Sequence, residues 1–112
     1  MRVNLDVIVN TSLDSAGVAV ANSDIIDLQH AWGYSVHAKW TKTGGGVLAG
    51  TSVLYKSNDK INWILVSTDV IGNATGAAQQ EKTDVVYGWS KVIVTLTGGT
   101  ADVYVTSYSK GA

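Results

Sequence analysis

Acid–base chemistry near neutral pH depends on histidine, and the 112-residue chain has two, His30 and His37. With Asp27 they form the one local set that could ligate a divalent metal ion, since imidazole and carboxylate are usual ligands of such ions. Their spacing counts against it, because seven residues and an expected turn separate the rings and nothing aims both at one atom. A small hydrolase would need one of the same histidines held between a Ser and an acid. Ser, His and Asp all occur, but no Gly-x-Ser-x-Gly elbow exposes a nucleophile. Glycoside hydrolysis needs two facing carboxylates, and most of the eight Asp fall in turn-like stretches beside a single glutamate, Glu81. Gly44-Gly45-Gly46 lacks the Lys-Ser/Thr and the helix of a phosphate-binding loop, and reads as a hairpin turn. Without Cys there is no disulfide framework, thiolate zinc site or cysteine nucleophile. The expectation is a non-enzymatic chain with no catalytic residue, no metal site and no cofactor.

Aromatic side chains are the remaining recognition chemistry: four Trp, five Tyr and no Phe. Exposed rings can stack on sugars or anchor a protein contact, but in a chain without Phe the Trp must also fill the core. Trp40, Trp63 and Trp89 are expected there. Trp32 and Tyr34 flank Gly33 at a strand entrance and are expected to be more open. Tyr104 and Tyr108 lie opposite a Val103/Val105 face, either solvent-facing or at a subunit contact. Trp32, Tyr34, Tyr104 and Tyr108 are the candidate ligand or subunit contacts.

The elements that must position these groups are strands. Val, Thr and Ile make up 34 of the 112 residues, and good helix formers are scarce. Val3, Leu5, Val7 and Val9 alternate with polar residues and share one face, the signature of a half-buried strand. Asn10-Thr11-Ser12 and Asp14-Ser15 then supply turn chemistry. Val18 and Val20 belong to a short second strand. Ile25 to His30 reads as a short strand or one helical turn that Ser23 could cap. Tyr34, Val36, Ala38 and Trp40 share a face of a strong strand opposite Ser35, His37 and Lys39. Thr51 to Ser57 is a strand joined through Ser57-Asn58-Asp59-Lys60 to Trp63–Ser67, whose apolar faces suggest a central buried strand. A weaker strand lies near Ala77–Glu81, a longer one within Val85–Leu96, and a last one from Thr100 to Tyr108 after the Gly98-Gly99 turn. Seven or eight short strands at such spacing predict a single all-β domain, an antiparallel β-sandwich of about eight strands, jelly-roll-like.

The whole-chain balance narrows the partners. A net charge of −1 with scattered lysines offers no footprint for nucleic acid or an anionic membrane. No apolar run approaches the roughly 18 residues of a membrane-spanning helix. Met1-Arg2-Val3-Asn4-Leu5-Asp6 lacks the apolar stretch of a secretory signal, so Asn10-Thr11-Ser12 and Asn73-Ala74-Thr75 are not expected to be glycosylated. The chain has no Pro, one of the devices that blocks edge-strand pairing. Lysines or a neighbouring subunit must then cover the edges, which points to a homo-oligomer.

Several short motifs carry a resemblance. Leu28-Gln29-His30-Ala31-Trp32-Gly33-Tyr34-Ser35-Val36, Gly50-Thr51 leading to Leu54, Ser57-Asn58-Asp59 with Trp63, Tyr87-Gly88-Trp89-Ser90-Lys91-Val92 and Gly98-Gly99-Thr100-Ala101-Asp102-Val103-Tyr104-Val105 occur in that order. This order, over roughly residues 25 to 107, resembles small virion-associated proteins of tailed phages and marine viral sequences. The resemblance implies a structural role in the virion, as capsid decoration or in tail or fibre assembly, with other virion proteins as partners. Lys91 stands where those relatives often carry Arg, which puts any partner contact there in doubt. The Ser57-Asn58-Asp59 to Trp63 segment also resembles the Ser-x-Asp-Gly-x-x-Trp hairpin of discoidin-type, galactose-binding-like sandwiches, with Lys60 where Gly is usual. That likeness implies the alternative, a carbohydrate-binding module using Trp32 and Tyr34 with Asn73.

Overall fold

The computed structural model describes residues 2–14, 17–83 and 85–111, and among them every regular element is a strand. The strands are β1 (Arg2–Asp14), β2 (Ala19–Asn22), β3 (Ile26–Asp27), β4 (Ala31–Lys42), β5 (Ala49–Ser57), β6 (Ile64–Ile71), β7 (Gly76–Lys82), β8 (Trp89–Gly98) and β9 (Thr100–Gly111). One sheet has the order β1-β9-β4-β7, and the other β2-β8-β5-β6 with β3 also on β8. All pairings are antiparallel.

The order has a simple origin. β2 and β3 run along the same side of β8, opposite Ile93–Leu96 and Trp89–Ser90 respectively, so they form one interrupted lane. Counting that lane once, the first strand pairs with the last, the second with the second-last, the third with the third-last and the middle two with each other. This is a long hairpin rolled up so that alternate strand pairs fall in opposite sheets, which is a jelly roll. The expected sandwich of about eight strands is therefore observed.

The two inner faces make the core. Tyr34, Val36, Ala38 and Trp40 of β4 and Ala101, Val103 and Val105 of β9 meet Leu54 of β5 and Val92, Val94 and Leu96 of β8, all buried. Side chains at period two from both sheets fill the roughly 10 Å between them. This spacing limits how many large rings fit. Trp40 alone of the Trp is buried, its Nε1 donating to the Ala74 carbonyl at 3.1 Å. Trp63 and Trp89, expected in the core, are half-buried, with Lys91 and Lys60 ammonium groups 4.4 and 5.2 Å from their ring centroids. Aliphatic residues do the filling instead.

Other expectations change for traceable reasons. β1 runs through Asn10-Thr11-Ser12 without turning, because β9 supplies partners along its full length. A bulge between Val7 and Val9 switches the faces, so Ile8 and Val9 are both buried while Val3, Leu5 and Val7 point outward. Ser23 caps no helix; its hydroxyl accepts the Val92 N–H at 2.8 Å and fills the gap between β2 and β3. Gly44-Gly45-Gly46 and Gly98-Gly99 are not hairpin turns, since each joins strands of opposite sheets, with Gly99 at φ +76°. β6 is an edge strand rather than a central one, and Ile64, Leu65 and Val70 are exposed. In the β5–β6 turn the left-handed residue is Lys60 (φ +62°), the position where the discoidin-type hairpin carries Gly.

Candidate functional site

The register of β1, β9, β4 and β7 dictates what the outer face of that sheet displays, because directly opposed residues share a face. Leu5 lies opposite Tyr108, Tyr108 opposite Ser35, and Ser35 opposite Glu81. The next row is Val7, Thr106, His37 and Gln79, and the one beyond holds Asn10, Tyr104, Lys39 and Ala77. Tyr104 and Tyr108 are 43% and 38% exposed, and four residues of strand set them about 13 Å apart. Beside Tyr108, the bulge between Ala31 and Gly33 turns Trp32 outward, 52% exposed. A groove of about 250 Å³ results, lined among others by Trp32, Ser35, Glu81, Thr83, Tyr108 and Lys110. The Glu81 carboxylate accepts from Gln79 Nε2 at 2.7 Å, which orients it along the sheet. Lys110 Nζ lies 5.9 Å from the Tyr108 ring centroid.

Of the four candidate contacts, the fold thus brings Trp32 and Tyr108 together and places Tyr104 further along the same face. Tyr34 differs: it alternates inward with Val36 and is 5% exposed. Its hydroxyl bridges the sheets, 3.1 Å from Ser90 Oγ and 3.0 Å from the Tyr87 hydroxyl. Ser90 Oγ donates its one proton to the Tyr55 carbonyl at 2.7 Å, so Tyr34 donates to Ser90 and accepts from Tyr87. Burial pushes the Tyr34 hydroxyl well above the usual phenol range, against a smaller lowering by Ser90. The Tyr34 side chain is thus a structural link between sheets, while the residue itself still lines the groove beside Gly33 and Ser35. Asn73 sits at the opposite end of β4 from Trp32, its Oδ1 accepting from Lys42 Nζ and the Leu48 N–H, so it joins no site with Trp32.

The groups first considered for catalysis do not converge. His37 is exposed on the outer face of β4, while His30 lies in the turn after β3 beside a shallow depression of about 100 Å³ that includes Asp27. Among the described residues no three His, Cys, Asp or Glu side chains are grouped to hold a metal ion. A second depression, about 370 Å³, lies beside the β5–β6 turn. There the Asp59 carboxylate accepts the Ile61 and Asn62 N–H groups, each at 2.8 Å, and Asn62 Nδ2 at 2.7 Å. These bonds, the Asn62 N–H foremost, hold the Asp59 carboxyl well below the usual carboxylate range. These bonds, with a further one from Ser57 Oγ at 2.9 Å, all lie within the turn, so Asp59 serves it as a structural acid.

Sequence reasoning missed Ser35, Glu81 and Lys110 as neighbours of the aromatic pair, and the outward turn of Val3, Leu5 and Val7. Lys110 was legible locally, two residues after Tyr108 and in the same outward phase, whereas only cross-strand register joins Ser35 and Glu81 to Tyr108.

No protein-family model and no curated protein matches the chain. Solved structures do. The structure of infectious bursal disease virus, Gx strain, superimposes with a TM-score of 0.55 at 11% identity, covering 99% of this chain and 32% of that one. The Clostridium thermocellum N-terminal endo-1,4-β-D-xylanase 10B CBM22-1–GH10 modules, complexed with xylohexaose, superimpose with a TM-score of 0.52 at 12% identity, covering 93% and 25%. The chain therefore spans about a third and a quarter of these neighbours. At such identities the likeness concerns architecture alone: this chain has the fold of an antiparallel β-sandwich, one shared by a viral protein and by a carbohydrate-complexed enzyme.

Proposed function

We propose that the chain is a non-enzymatic structural protein of a phage virion, assembling with copies of itself and with capsid or tail proteins through the β1 edge and the outer face beside it. The observation that carries this reading is the row Val3, Leu5 and Val7, 45%, 69% and 48% exposed on an edge strand of 13 residues. A long apolar edge without Pro or Lys is a template for another strand. Pairing there satisfies the free backbone groups of β1 and covers the three side chains, each worth roughly 1 kcal/mol when its exposed half is buried. Tyr108, opposite Leu5, extends the covered surface into the sheet. A charge of −1 leaves little repulsion between copies. The motif order over residues 25 to 107 and the viral structural neighbour support the same reading at the level of fold. Mass spectrometry of gradient-purified particles from a culture carrying the gene tests it. The reading predicts many copies of the chain per particle; its absence from particles while abundant in the lysate contradicts it.

A second reading, a carbohydrate-binding module, is favoured by one observation: Trp32 and Tyr108 stand exposed side by side above hydroxyl, carboxylate and ammonium groups. The xylanase neighbour was solved with a xylose oligomer bound, and lectin domains are among the uses of the jelly roll.

A further inference from the structure

We infer that the Trp32–Tyr108 groove is a binding site for a neutral oligosaccharide of pyranose rings, lying along β9 towards Tyr104; this rests on the carbohydrate reading and assigns its site and ligand class. Three properties of the face lead there. First, the rings are held open by the backbone. Trp32 is the bulged residue of β4, and Tyr108 alternates outward from Ser107 and Ser109, both buried. Two exposed rings so anchored offer rigid apolar area with little ordering cost on binding. A pyranose with equatorial hydroxyls has a C–H face that matches such a ring.

Second, the groups between and beside the rings match a ring's polar edge. The Ser35 and Thr83 hydroxyls both donate and accept, the Glu81 carboxylate accepts, and the Lys110 ammonium donates. Gln79 Nε2 fixes Glu81 through one oxygen and leaves the other free for a ligand hydroxyl. Beyond them Thr106, His37 and Gln79 continue a polar floor to Tyr104. The Glu81 carboxylate and the Lys110 ammonium offset each other at the groove, while Lys82 lies opposite inward-facing Tyr34, so the field is strong in neither sign and the face suits a neutral ligand over a polyanion.

Third, the face is a poor peptide site. β9 and β4 are both interior strands, so their backbone groups are spent within the sheet and none is left for an added strand at the groove. Tyr108 lies opposite Leu5, so a saccharide over Trp32 and Tyr108 and a copy seated on the outer face beside β1 compete for that ring.

The test is calorimetric titration of the full chain with xylohexaose, cellohexaose, chitohexaose and a hexamer of galacturonate. Binding of at least one neutral hexamer, weakened by about tenfold or more in both Trp32→Ala and Tyr108→Ala with thermal stability retained, supports the site. Trp89→Ala, altering a ring on the other sheet, serves as the control and leaves affinity unchanged. Neutral-sugar binding that survives Trp32→Ala and Tyr108→Ala overturns the site but leaves the carbohydrate reading standing. Preference for the galacturonate hexamer overturns the ligand class. No heat with any of the four at millimolar concentration overturns both the site and the carbohydrate reading.

Discussion

Replacing Tyr34 by Phe removes one oxygen from the link between the sheets and leaves the ring in place. Tyr34 is 5% exposed, and its hydroxyl donates to Ser90 on the facing sheet while accepting from Tyr87. After the change, Ser90 still donates to the Tyr55 carbonyl, and half-buried Tyr87 can turn to water. The loss is therefore one buried hydrogen bond without a stranded donor, about 1 kcal/mol. An unfolding entropy of about 2.1 cal/mol/K per residue converts this to roughly 4 °C in Tm for a chain of this length. Alkaline pH supplies a second readout. The Tyr34 hydroxyl titrates above the ordinary phenol value of about 10 in the folded chain and near it in the unfolded chain. Its contribution is complete below pH 10 and is lost as pH rises towards the folded value, because the unfolded chain gives up the proton first. Wild-type stability should then have fallen by about 1.4 kcal/mol in all by pH 11, relative to neutral pH, from this group alone. Phe has no proton to lose, so thermal unfolding should show Tyr34→Phe about 4 °C below wild type at pH 7 and level with it or above it at pH 11. Parallel curves with a constant gap would refute the reasoning, as would an unchanged Tm at pH 7.

Three further outcomes follow from local geometry. Asp59→Ala removes the acceptor of the Ile61 and Asn62 N–H groups and should lower Tm at pH 6; the depressed carboxyl means the wild-type advantage is complete above about pH 4 and shrinks as pH falls below it, which a pH series of melts checks. Gly50→Ala would put Cβ 2.1 Å from the Thr95 carbonyl oxygen and 3.0 Å from Leu96 Cα, both backbone of β8, and should cost about 3 kcal/mol or more in denaturant melts. Gly45→Ala meets nothing within 4 Å and should stay within about 0.5 kcal/mol of wild type.

Period-two alternation made the inner faces of β4 and β9 legible in the sequence, down to Tyr104, Thr106 and Tyr108 pointing away from Val103 and Val105. The same rule failed on β1, because a bulge is invisible to periodicity and one extra residue sends Val3, Leu5 and Val7 to the opposite side from Val9. It failed for Tyr34 in another way. The strand phase was right, but position beside Gly33 suggested openness, whereas Tyr87 and Ser90, more than 50 residues away, enclose the ring. Trp63 and Trp89 were misplaced by composition: lack of Phe does not oblige Trp to be buried when aliphatic side chains fill a space that thin. The groove was out of reach for the same reason as the topology. Trp32, Glu81 and Tyr108 become neighbours only through the pairing of β4 with both β7 and β9.

The central claim is that β1 is an assembly edge, and sedimentation velocity of the full chain tests it most directly. At tens to hundreds of micromolar the wild type should sediment as an oligomer. Leu5→Lys places a charge in the middle of the exposed row, 69% accessible and so without cost to the monomer fold, and should sediment as a monomer, with the Tm of wild type at a dilution where both are monomeric. A wild-type chain that remains monomeric at every concentration, or an oligomer that Leu5→Lys leaves intact, would contradict the account.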